Sequence, residues 1–134
     1  MKPLSALLLL VVLTLALVAC TSPTPPTPEP TPTLDPTTPE GRGQALFSGI
    51  ARCSACHALE PDTVIVGPSL HGIATTAATR IEGLSAREYL EESILLPDAF
   101  KPAGFETRQM DTTLAKTLTL EQMNDIVAFL LTLE

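Results

Sequence analysis

Two of the three cysteines in this 134-residue chain stand in Cys53-Ser54-Ala55-Cys56, and His57 follows the second directly. Thiols this close serve three chemistries: a dithiol/disulfide pair, a metal site, or thioether attachment of a haem. A zinc site of the common kind takes four Cys or His ligands, usually as two spaced pairs. Here His71 is the only other histidine, so that ligand set is short. A thioredoxin-like dithiol sits in a βαβ framework, and no strand pattern precedes the motif. Two thiols about one helical turn apart suit the two vinyl groups of a haem, with His57 projecting from the same turn towards the iron. The order C-x-x-C-H is the one used for c-type attachment.

Something must hold that turn in place. Gly43, Leu46, Phe47 and Ile50 recur at spacings of three and four, which predicts an amphipathic helix over 43–50 running into the cysteine pair. Beyond His57, Pro61, the apolar run Val64-Ile65-Val66 and Gly67-Pro68 predict an irregular loop, with a short helix over 70–78. Ser85 and Glu88 form a capping box opening a helix with Tyr89, Leu90 and Ile94, which must end before Pro97. A loop through Phe105 and Met110 follows. Thr119 and Gln122 form a second capping box for a last helix, whose apolar face is Met123, Ile126, Val127, Leu130 and Leu133. With no alternating strand pattern of useful length, the expected fold class is all-α.

The N-terminus leads us to expect a chain outside the cytoplasm. Lys2, an apolar stretch over 4–18 and the ending Leu17-Val18-Ala19-Cys20 read as a secretory signal over 1–19. The ending resembles the bacterial lipoprotein processing box, which implies cleavage before Cys20 and acylation of that cysteine. The alternative is an uncleaved membrane helix, for which the stretch falls below the ~20 residues of a comfortable span. Residues 21–39 are almost entirely Thr and Pro, with Leu34 and Asp35 among the few interruptions, and hold eight of the 13 prolines. That composition favours polyproline II, a tether reaching up to roughly 60 Å at ~3.1 Å per residue. The expected division is therefore 1–19 signal, 20–39 lipidated cysteine and tether, 40–134 folded domain. The domain carries 13 carboxylates against seven Lys and Arg and has no basic stripe, which argues against nucleic acid as a partner. With no Trp, one Tyr and four Phe, so small a core would gain from a bound apolar cofactor.

Residues 41–134 resemble a class I c-type cytochrome of the small bacterial monohaem type. Gly43 and Phe47 before "CSACH", then "GPSLHG", "YLEESILLPDAF", Met110 and "LTLEQMNDIVAFLLTL" carry the resemblance in order and spacing. It implies three main helices plus short ones packed around one haem c, bound covalently through Cys53 and Cys56. It also implies His57 as proximal ligand, its other ring nitrogen donating to the Pro68 carbonyl and so fixing the ring's orientation. Gly43 and Phe47 would pack on the last helix. Met110 would be the distal ligand, a soft neutral donor that raises the reduction potential. Asp111 stands where members often have proline, which implies a less stiffened loop and a carboxylate near the iron's edge. Met123 is the rival sulfur, read as core from its place on the last helix. His71 is read as a loop residue, with a second imidazole ligand as the alternative. Tyr89 and Arg80 are read either as hydrogen-bonding the haem propionates or as a core residue and a solvated one.

An iron closed by six ligands exchanges single electrons. The expected function is a membrane-tethered, monomeric electron carrier on the extracytoplasmic face of a bacterial membrane, working between respiratory or photosynthetic membrane complexes. It is not expected to be an enzyme. The alternatives are a fixed relay subunit of a larger redox complex and an open-site haem enzyme or sensor. From the acidic balance, electrostatic steering would require a basic partner surface.

Overall fold

The computed structural model describes residues 32–134, and over these the chain is all-helical. Helix α1 spans Pro39–Ser48, α2 Ile73–Arg80, α3 Ala86–Leu95, α4 Thr112–Thr117 and α5 Leu120–Leu130, with a 3-10 turn at Cys53–Ala55. Among the described residues the only extended pairing is an isolated antiparallel bridge between His57 and Val64. None of the described helices is long and apolar enough to cross a membrane. The expected signal segment, Cys20 and the first part of the Thr/Pro segment lie outside the described residues.

The core centres on the crossing of α1 and α5. Thr38 caps α1, its hydroxyl accepting from Gly41 N at 3.1 Å, and Pro39 at the first position fits a helix start that has no use for its missing N–H. A Cβ at Gly43 would overlap the Asp125 carbonyl oxygen of α5, so the two backbones can meet only because residue 43 has none. One turn on, the rings of Phe47 and Phe129 meet edge to face with centroids 5.4 Å apart. The expected capping box opens α5, and Met123, Ile126, Val127 and Leu130 are all buried on it. Leu133 lies past the helix end, partly buried against the same core.

A buried carboxylate sits beside this crossing. Asp125 is only 4% exposed, and Arg42 closes on it with two hydrogen bonds of 2.8 and 2.7 Å. Arg42 also donates to the Thr37 carbonyl at 3.0 Å, tying the approach to α1 onto the domain. Composition predicts a free extended segment up to Pro39, yet its last residues are fastened. Leu34 packs against the core and its N–H donates to Gln44 Oε1 at 2.8 Å, while Gln44 Nε2 donates back to the Pro32 carbonyl. Asp35 accepts from the Thr37 N–H and hydroxyl. Leu34, which breaks the Thr/Pro pattern, thus holds the segment down together with the Pro32 and Thr37 carbonyls, while Asp35 shapes the turn into α1.

Three local expectations change. Ile50 is 67% exposed instead of buried, because α1 stops at Ser48 and Gly49 turns the chain before the apolar period can continue. The short helix expected over 70–78 begins at Ile73, after Gly72 in a left-handed conformation (φ 64°), and runs to Arg80. The stretch after Met110, expected as loop, forms α4. Asp111 is its N-cap, accepting from the N–H and hydroxyl of Thr113 at 2.8 and 2.6 Å.

Candidate functional site

The turn carrying the two thiols follows directly from the end of α1. Arg52 takes a left-handed conformation (φ 53°, ψ 23°), a placement costly for a residue with a Cβ and often found at functional turns. It swings the chain into the 3-10 turn, whose carbonyl at Cys53 accepts from both Cys56 N (3.0 Å) and His57 N (2.9 Å). Cys53, Cys56 and His57 are all half-buried and line one cavity of about 310 Å³. Phe47, Ile126 and Leu130, from the α1–α5 core, form part of its apolar wall. Burial pushes the Cys53 thiol above its ordinary value.

His57 is oriented by the loop after it. Its Nδ1 lies 2.8 Å from the Pro68 carbonyl oxygen. A carbonyl only accepts, so Nδ1 carries the proton and Nε2 keeps its lone pair for a metal. Burial lowers the ring's pKa below its ordinary 6.5, opposed in part by the bond to Pro68, and so favours the neutral ligand form. A Cβ at Gly67 would overlap the His57 ring, so residue 67 must be glycine for the ring to stand where it does. The loop is pinned to the motif itself, since Val66 N and Gly67 N both donate to the Cys56 carbonyl, at 3.1 and 2.9 Å.

Met110, on the segment between α3 and α4, lines the same cavity and is 38% exposed. Met123 is 6% exposed in the core and does not line it. His71 is exposed and also off the cavity wall; its backbone N–H is bonded to Ser69 Oγ at 3.1 Å. Asp111, expected as a carboxylate near the iron's edge, is engaged as the cap of α4. Its hydrogen bonds from Thr113 hold its carboxyl below the ordinary range. Among the described residues, no three His, Cys, Asp or Glu side chains converge, so the structure offers no zinc-type cluster.

Arg80 and Tyr89 meet on the cavity wall, with Arg80 Nη1 donating to the Tyr89 hydroxyl oxygen at 3.0 Å. Because that oxygen accepts from Arg80, its own proton remains available to donate. The guanidinium also lies 5.5 Å from the Tyr89 ring centroid and 5.8 Å from that of Phe100. Charge around the cavity runs against the charge of the whole. Arg52, Arg80, Lys101 and Arg108 line it with one carboxylate, Asp111, in a chain of formal net charge −7. Net composition could not show this, because it carries no positions.

Residues 41–134 match the family model described as Cytochrome c. This chain belongs to the cytochrome c family. No curated protein and no solved structure matches it. Members of the family bind haem c covalently through C-x-x-C-H, and Cys53 and Cys56 supply those thiols here. The local structure fits such a group. Both thiols and a neutral imidazole open into a cavity with apolar walls, and the glycine beside the His57 ring provides a cradle that any side chain would fill. The cytochrome c fold and its haem make this domain an electron carrier by family.

Proposed function

We propose that this cytochrome c is a membrane-tethered, single-electron carrier in which His57 and Met110 would hold the haem iron. The observation that carries the ligand assignment is the sorting of candidates. Met110 shares a cavity with Cys53, Cys56 and His57, whereas Met123 and His71 do not line it. Haem c, when bound, supplies one-electron exchange between Fe(III) and Fe(II). The protein's part is to keep the site closed and rigid. Cys53 and Cys56 attach the cofactor, His57 offers an oriented neutral Nε2, and Met110 offers a soft thioether that favours the reduced state. The apolar walls keep water from the site. Arg80 and Tyr89 present donors for the cofactor's carboxylates, and the local excess of cations offsets their charge.

The signal-like N-terminus, Cys20 and the Thr/Pro segment support a lipid anchor on the extracytoplasmic face of a bacterial membrane. A tethered monomer has a raised effective concentration at membrane donor and acceptor complexes. With the cofactor's carboxylates offset by these cations and Lys101 paired with Asp98 at 2.8 Å, that rim would be near neutral, so the steering expected from net charge does not transfer to that face.

Two measurements on the haem-loaded chain test the reading. Voltammetry should show one reversible one-electron wave, and the ferrous protein should not bind carbon monoxide at neutral pH. Ready carbon monoxide binding would mean an open iron and would move the assignment to a haem enzyme or sensor.

A further inference from the structure

Met110 lies outside any helix and is not followed by proline. Two side chains hold its segment instead. Downstream, Asp111 is fixed as the cap of α4. Upstream, Arg108 Nη1 donates to the Val66 carbonyl at 2.7 Å, a bond between residues 42 apart in sequence. The Arg108 guanidinium also lies 5.7 Å from the Phe105 ring centroid, which narrows its choice of rotamers.

Val66 is an informative acceptor. Its own N–H is bonded to the Cys56 carbonyl at 3.1 Å. The next residue, Gly67, abuts the His57 ring, and the one after, Pro68, accepts the His57 Nδ1 proton at 2.8 Å. A single residue, Val66, therefore joins the Met110 segment to the segment that orients His57. We propose that Arg108 is a positioning residue, a clasp that locks the Met110 segment to the His57 loop and, with the Asp111 cap, stiffens it in place of a proline. This rests on the reading of Met110 as a residue that would hold the haem iron. A guanidinium suits the task, since its charge-assisted bond to a carbonyl is short and its planar fork is pre-organised. The bond is at the surface, so the expected effect is moderate.

The test uses the full haem-loaded chain with Arg108→Ala, Arg108→Lys and Arg87→Ala. Imidazole can replace a thioether donor only when the Met110 segment swings away, so its dissociation constant reports the cost of opening. Arg108→Ala should bind imidazole about five- to tenfold more tightly than the parent, the effect of losing one charge-assisted hydrogen bond. Arg108→Lys should fall between them. Arg87→Ala, which removes an equal charge from the exposed side of α3, should match the parent. Amide exchange across residues 105–113 should quicken in Arg108→Ala alone. Imidazole affinity unchanged in Arg108→Ala, or raised equally in Arg87→Ala, overturns the clasp. If the parent lacks a sulfur–iron absorption band, the Met110 reading fails separately. Exchange then decides the clasp, and unchanged protection over 105–113 in Arg108→Ala overturns it.

Discussion

At the α1–α5 crossing, Gly43, Phe47 and Phe129 interlock with almost no exposed apolar surface. On the cavity wall, Val66 stays 45% exposed and Met110 38% exposed. The first region is held mainly by shape, through backbone contact and an aromatic pair, with the buried Arg42–Asp125 ion pair joining the two helices beside them. The second is held by separate hydrogen bonds, such as His57 to Pro68, Arg108 to Val66 and the Asp111 cap. The difference teaches that the scaffold and the donor groups are held by different means, although Phe47, Ile126 and Leu130 serve both as core and as cavity wall. Stability resides at the crossing, while the donor groups sit on loops that a few polar contacts set in place.

Substitutions can break or sharpen that division. Phe129→Ala should cost about 3–5 kcal/mol in denaturant unfolding, the usual result of emptying a buried aromatic site. The visible spectrum of its folded fraction should match the parent; a spectrum that changes at unaltered stability would dissolve the distinction. Gly67→Ala should do the reverse. The new Cβ displaces the His57 ring, so the ferric low-spin spectrum should shift and gain a high-spin component, while unfolding moves far less than for Phe129→Ala.

Leu34→Ala tests whether the fastened end of the Thr/Pro segment belongs to the scaffold. A half-buried leucine truncated this way should cost about 1 kcal/mol and leave the spectrum untouched. No loss would show that the segment lies on the domain without supporting it.

The smallest expected effect is at the cap of α3. Glu88 accepts from the Ser85 hydroxyl and N–H, and these bonds hold its carboxyl below its ordinary 4.5. A carboxyl depressed in the folded state stabilises fully above its ordinary value, and that contribution fades as pH falls through the lowered folded value. Unfolding followed from pH 6 downwards should therefore lose less stability in Glu88→Gln than in the parent over that window, at about those acidities. Parallel curves would mean that the cap contributes nothing that depends on charge.

Much of the scaffold was legible because its signals are local. Both capping boxes, the stop before Pro97 and the buried face of α5 follow from spacing alone. The end of α1 was not, because Ile50 continues the apolar period that Gly49 interrupts. Helix α4 is six residues long, with no apolar period to see; the Asp111-Thr112-Thr113 cap was its one signal. In the site, the thiols and His57 announce themselves by chemistry. The Arg42–Asp125 pair and the Arg108 clasp join residues 83 and 42 apart, and no local pattern marks such partners.

The ferric absorption spectrum of the haem-loaded chain bears most directly on the closed His57/Met110 site. The weak red band of a methionine sulfur–Fe(III) bond should be present in the parent, absent in Met110→Ala, and retained in His71→Ala and Met123→Leu. A parent without the band, or a band that survives Met110→Ala, would contradict the account.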